Sequence, residues 1–248
     1  STPSNSSAAS DVYKRQIEEI LHELDRLEPL KQRRIRGRYF TKKDLGNEIA
    51  DIVSEIEPDY IVEPYVGAGS LIKNLIDNYK GAANDINEEF IKVLKKEYED
   101  SNWIFTSFDT IQKSTEFLIK NWNIPIGKRI LILTNPPFGT VSTNLLASKK
   151  SEIGNRKSRK KLIYYGDLAE EFGKGDLLIP TIGRLIRIAR EVGNCYLAFF
   201  APAGVYCGRR RYNKLLKALL KDFEYLDGYI FSGEYFNGVS AKKPITFT

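Results

Sequence analysis

The stretch Asn135-Pro136-Pro137-Phe138 brings a carboxamide, an outward carbonyl and an aromatic ring into one short turn. Two consecutive prolines fix φ and remove two backbone donors, so the turn is stiff and its carbonyls are free of a ladder. The aliphatic run before it, Ile130–Thr134, reads as a buried strand. In an open α/β sheet, ligands bind at the C-terminal ends of such strands. The side-chain oxygen of Asn135 and the carbonyl of Pro136 can accept both hydrogens of an amino group, while Phe138 stacks on the ring that bears it. The trio is a grip for a planar, amino-substituted ring. The competing reading is a proline-rich turn that only leaves a core strand.

A second cluster lies upstream. Asp59–Glu63 reads as a short apolar strand that runs into Glu63-Pro64-Tyr65-Val66-Gly67-Ala68-Gly69-Ser70. Leu71–Tyr79 then reads as a helix closed by Gly81. A strand, a glycine-rich turn and a helix make a nucleotide-type site. The dinucleotide fingerprint needs a third glycine, and that position holds Ile72, which argues against NAD or FAD. Gly67 and Gly69 still allow close backbone approach, and Glu63 adds a carboxylate at the mouth. Such a site suits a ligand carrying an amine and a sulfonium better than a pyrophosphate.

Other polar residues fall at strand ends. Asp85, with Ile86 beside it, follows a strand at the offset where an acid meets ribose hydroxyls. It fits equally well as a cap for a helix over Glu88–Glu99. Asp109 ends a strand at Trp103–Thr106 and is placed to accept from an adenine amino group, with Phe108 packing on the ring; it too fits as a cap. Tyr39, Phe40 and Thr41 precede a helix bearing Leu45, Ile49, Ile52, Val53 and Ile56. They read as a hydrophobic staple or as the wall of a cofactor pocket.

The elements that must position these groups alternate. Ser114–Asn121, Asp176–Val192 and Arg209–Phe223 read as helices, and Cys195–Ala201 as an apolar strand. In the third helix Leu215, Leu216, Leu219 and Leu220 are expected to face inward. Tyr225–Phe231 and Lys243–Phe247 read as a closing hairpin. The expected architecture is α/β, a doubly wound and mostly parallel sheet with an antiparallel C-terminal hairpin. Val141–Gly175 reads as a long polar loop. Its Lys149, Lys150, Arg156, Lys157, Arg159 and Lys160 form a basic run suited to nucleic-acid phosphates, against the reading of a solvated face.

Composition narrows the function classes. The chain has 248 residues, 42% hydrophobic, with a formal net charge of +6, a size that suits one large domain. No apolar run approaches a membrane span. Cys195 and Cys207 are too few for a zinc ribbon or a disulfide framework, and the single His22 lies outside every motif. Histidine triads and histidine-based metal sites are therefore not expected, and a reducing cytoplasm is. Ser6–Gln16 looks like the in-frame translation of a sequencing adapter, so residues 1–16 are expected to be extraneous or disordered. Residues 17–36 are expected to form a helix and a basic connector, and 37–248 the main domain.

Taken together, these motifs resemble the amino-methyltransferases of DNA, the adenine-specific branch of restriction–modification systems. The resemblance runs from about Gly37 to the end. Asn135-Pro136-Pro137-Phe138 matches that family's catalytic (Asp/Asn)-Pro-Pro-(Tyr/Phe) motif. Glu63–Ser70 looks like its S-adenosylmethionine motif, with Glu for the commoner Asp. Asp85 and Asp109 match its ribose- and adenine-contacting acids. Gly37–Thr41 resembles the segment that closes over the cofactor's methionine end. Asp176 and Pro202-Ala203-Gly204-Val205 resemble later segments of large subunits in this branch.

The resemblance implies a Rossmann-like class I methyltransferase with S-adenosylmethionine as cofactor. It implies methyl transfer to the exocyclic amine of an adenine flipped out of DNA. It further implies a cytoplasmic bacterial, archaeal or phage protein, with sequence reading supplied by a specificity subunit or a recognition domain beyond Thr248. Two other readings stand beside it: an RNA amino-methyltransferase, and a nucleic-acid-binding partner subunit without turnover.

Overall fold

The computed structural model describes residues 43–138, 166–232 and 244–248. The expected tail, the first helix, Tyr39, Phe40, Thr41 and the basic run from Lys149 to Lys160 lie outside the described residues. The first described helix, α1 (Lys43–Ile56), buries Ile49 and Val53 four residues apart on one face. There follow β1 (Tyr60–Glu63), β2 (Gly81–Asn84), α2 (Glu88–Glu97), β3 (Trp103–Thr106), α3 (Thr115–Asn121) and β4 (Ile130–Thr134). The second half holds α4 (Gly166–Phe172), α5 (Leu178–Val192), β5 (Cys195–Pro202), α6 (Asn213–Asp222), β6 (Tyr229–Phe231) and β7 (Ile245–Phe247).

One sheet of seven strands has the order β3-β2-β1-β4-β5-β7-β6. The first five are parallel; β7 runs antiparallel between β5 and β6. Strands β1, β2 and β4 are buried at every residue, which is why they read as continuous apolar runs rather than alternating ones. From β1 the chain steps outward to β2 and β3, then crosses back to β4 and β5. Right-handed crossovers in opposite directions place the two sets of helices on opposite faces. The directions diverge between β1 and β4, so a crevice opens at their C-terminal ends.

Helix α5 covers the second half of the sheet and packs on β5, α3, α4 and α6. Most of its residues are buried, and the bare Gly183 lets the Phe172 ring lie against its backbone, where a Cβ would come within 2.4 Å of that ring.

Several elements differ from expectation. Residues 71–79 form successive turns instead of a helix, because hydrogen bonds close onto Gly69, Ile72 and Leu75 carbonyls without a continuous ladder. Helix α4 lies inside what reads as a polar loop; its charged residues outnumber the two that anchor it, Leu168 and Phe172. Helix α5 starts at Leu178, since Asp176 accepts from the Leu178 amide ahead of it. The expected helix 209–223 divides into a 3₁₀ turn, Arg210–Tyr212, and α6. Leu215 is buried, but Leu220 is 67% exposed, one residue outside the inward stripe. Of Tyr225–Phe231, only Tyr229–Phe231 is strand.

Candidate active site

The two expected clusters meet at the crevice. Asn135 leaves β4 and the glycine-rich turn leaves β1, its parallel neighbour, so both emerge at the same rim. A direct hydrogen bond joins their roots: Thr134 Oγ1 donates to Glu63 Oε1 at 2.6 Å. The amide of Tyr65 donates to the same oxygen at 3.1 Å. Glu63 is 1% exposed, so it lies beneath the turn and not at the mouth as expected. Its other oxygen, Oε2, is buried without a hydrogen-bond partner. Burial pushes the Glu63 carboxyl up from 4.5 to about 8, with Asp85 adding to the rise and the two hydrogen bonds opposing it. A carboxyl so placed is mostly neutral at neutral pH in the protein alone.

Gly67 and Gly69 both adopt positive φ, +50° and +80°, the region that a side chain would strain. The turn is clamped from the next strand. Asp85 Oδ2 accepts from the Gly67 amide at 3.0 Å, and its Oδ1 from the Asn87 amide at 2.8 Å. Asp85 therefore does not cap α2; Asn87 does, accepting from the Glu89 amide. Beside it Ile86 is 57% exposed, an apolar side chain held on the rim.

Asn84, which the sequence did not single out, is the hub of the site's scaffold. Its carboxamide makes four hydrogen bonds. It donates to the carbonyls of Pro64 and Phe108 and accepts from Thr106 Oγ1 and the Phe108 amide, all between 2.8 and 3.1 Å. One buried side chain thus ties the ends of β1, β2 and β3 together. The visible signal was a carboxamide closing an otherwise apolar strand, Gly81-Ala82-Ala83-Asn84. Behind it, Thr106 Oγ1 accepts from Trp122 Nε1 at 2.9 Å, and Tyr60 Oη donates to the Trp122 carbonyl at 2.6 Å.

At the end of β3, Asp109 Oδ1 accepts from the amides of Ile111 and Gln112, the capping geometry. Phe108 is half-buried, edge-on to Phe117 at 5.1 Å, with the Lys113 ammonium 5.9 Å from its ring. Tyr65 Oη pairs with Thr110 Oγ1 in the same loop, and burial raises the phenol's pKa. Arg184 of α5 anchors the far end of this loop through Ile111 O at 3.2 Å and Thr115 Oγ1 at 2.9 Å. Asn135 and Pro137 are half-buried, whereas Pro136 and Phe138 are buried, Phe138 within the core cluster. Among the described residues there is no group of three metal-ligating side chains and no helix long and apolar enough to cross a membrane.

No family model matches the chain. It is 25% identical over 111 residues to a ribosomal RNA small subunit methyltransferase A from Mycoplasma capricolum, covering 44% of this chain and 41% of that one. The matched part is thus less than half of that relative's length. In structure it is similar to a protein from Listeria monocytogenes assigned to the class I S-adenosylmethionine-dependent methyltransferases. There the TM-score is 0.54 at 13% identity, over 84% of this chain and 59% of the other. The methyltransferase subunit of a type I restriction–modification system from Streptococcus thermophilus gives a TM-score of 0.49 at 17% identity, over 83% of this chain and 42% of that one. The fold is the Rossmann-like fold of class I methyltransferases.

Proposed function

We propose that the chain binds S-adenosylmethionine at the β1–β4 crevice and methylates the exocyclic amine of adenine in DNA. The observation that carries this reading is the Thr134–Glu63 hydrogen bond, which roots the Asn135 turn and the Gly67–Gly69 turn in one another. The residues fit the cofactor. Two positive-φ glycines leave room for close approach, Ile86 offers an apolar surface, and Glu63 Oε2 is a buried oxygen with no protein partner. When bound, the cofactor supplies an electrophilic methyl group on a sulfonium.

The chain's own part is to position the amine. An adenine amino nitrogen is a poor nucleophile because its lone pair is delocalised into the ring. Asn135 Oδ1 and the Pro136 carbonyl would accept its two hydrogens, favouring a pyramidal nitrogen with its lone pair aimed at the methyl. Rate then comes from placement and fixed dipoles, without a general base. A base within a duplex reaches such a turn only by flipping out. Tyr39, Phe40 and Thr41 belong to the cofactor end of this reading. Sequence selection would rest with a partner subunit or recognition domain.

RNA is the second substrate reading, favoured by the likeness to a ribosomal RNA methyltransferase. Incubation with labelled cofactor and either duplex DNA or structured RNA, followed by mass analysis of the nucleosides, separates the two. N6-methyladenine in DNA, abolished in Asn135→Ala, is the expected result. Methylation confined to RNA would replace the substrate assignment, and an undiminished Asn135→Ala would end the mechanism.

A further inference from the structure

The described residues contain seven arginines, and most are engaged within the protein. Arg187 and Arg190 are paired with Asp167, Glu171 and Asp222. Arg129 donates to the carbonyls of Ile56 and Glu57, and Arg184 is buried against Thr115 and Ile111. Arg209 and Arg210 are different. Both are exposed, and neither has a carboxylate within 4.0 Å among the described residues. Arg211 next to them reaches only to 3.8 Å from Asp176.

The fold places this segment deliberately. Strand β5 runs parallel to β4, with Thr134 opposite Phe199, and ends at Pro202, three residues further on. The chain then makes a 3₁₀ turn, Ala203–Val205, and reaches Arg209 on the C-terminal rim that also carries Asn135. The segment is pinned from below. Tyr212 is buried, and its hydroxyl donates to Asp176 Oδ2 at 2.7 Å, while Asp176 Oδ1 holds the start of α5 at 3.0 Å. The Arg209 stem lies across Gly204, where a Cβ would come within 2.8 Å of Arg209 Cδ. Directly after the arginines the 3₁₀ turn runs into α6, with the Tyr212 amide donating to the Arg209 carbonyl and the Asn213 amide to the Arg210 carbonyl, so helical hydrogen bonds hold the backbone of both arginines.

Exposed, unpaired arginines on an anchored turn contribute little to stability, and their like charges repel one another. Two adjacent guanidinium groups free of carboxylates are suited to phosphate oxygens. We infer that Arg209 and Arg210 bind the phosphodiester backbone of the nucleic acid whose base enters the Asn135 turn. This rests on the nucleic-acid reading of the substrate and deepens it. The basic run from Lys149 to Lys160 was the sequence's candidate for this task; the arginines at 209 and 210 supply a second surface, fixed to the sheet.

The test is fluorescence anisotropy with labelled duplex DNA and labelled structured RNA, titrated at several salt concentrations. The probes share the phosphodiester chemistry, and the tighter one identifies its source. The double variant Arg209→Ala/Arg210→Ala should bind about tenfold more weakly and lower the slope of log affinity against log salt by about 2. Cofactor affinity by calorimetry and the melting temperature should stay at wild-type values. Arg209→Lys/Arg210→Lys, which keeps the charges, should recover most of the slope. Wild-type binding with an unchanged slope in the alanine variant overturns the inference alone. No binding of either probe by the wild type overturns both the inference and the nucleic-acid reading.

Discussion

Replacing Glu63 by Gln should make the protein more stable in alkaline solution, and by an amount that grows with pH. Glu63 is buried, one oxygen is held by Thr134 and Tyr65, and the other has no partner. Its carboxyl is pushed from 4.5 to about 8, first by desolvation. Between those values the folded chain keeps a proton that the unfolded chain releases. Stability therefore is full below about 4.5, falls as pH rises, and has lost this contribution above about 8. At about 1.36 kcal/mol per pH unit, the gap is worth at most about 5 kcal/mol. Glutamine has nearly the same shape and no charge to lose. Its advantage over the wild type should be near zero at about pH 5 and approach that limit at about pH 9. For a chain of this size that is a difference of about 10–20 °C in melting temperature. Thermal unfolding of both proteins across this range provides the measurement. A wild-type-minus-variant difference that stays flat with pH would refute the buried, neutral carboxyl. The same carboxyl couples to ligand: a cationic group beside it favours the ionised form, so cofactor binding near neutral pH should release a proton. Calorimetry in buffers of different ionisation enthalpy measures that release, and Glu63→Gln should show none.

Thr134→Val keeps the shape and removes the donor to Glu63. It should cost about 1–2 kcal/mol by denaturant unfolding, and raise the pH at which the Glu63 contribution is lost, because the bond it removes is one that lowers that carboxyl's pKa. Asn84→Ala deprives the Phe108 amide, two carbonyls and Thr106 of a buried partner. A loss of about 3 kcal/mol is expected, together with weaker cofactor binding by calorimetry. Unchanged stability would show that the clasp is dispensable.

The sheet was legible because its strands are short, apolar and bounded by polar residues at their C-terminal ends. Ile130–Thr134 and Trp103–Thr106 are strands over the expected residues. The meeting of Asn135 with the Gly67 turn followed from strand alternation and the handedness of crossovers, which leave few ways to order the strands. Side-chain partners were less accessible. Whether an acid at a strand end caps a helix, clamps a turn or faces a ligand depends on which amides lie nearby. Asp109 took the capping geometry, Asp85 clamps Gly67, and Glu63 went under its turn. Asn84 was overlooked since one carboxamide in an apolar tetrapeptide carries no periodic signal. Helix α4 was missed for a related reason. Two anchors in a charged heptapeptide are too few to register as an amphipathic pattern.

The line from Trp122 through Thr106 to Asn84 gives the molecule an intrinsic optical probe. The indole is fully enclosed, and its only polar atom donates into the hub that ties the crevice loops together. Any rearrangement of those loops that disturbs Asn84 also alters the electrostatic surroundings of that chromophore. With only one other tryptophan in the chain, Trp103 on the adjacent strand, emission spectra can follow occupancy of the crevice without an attached dye.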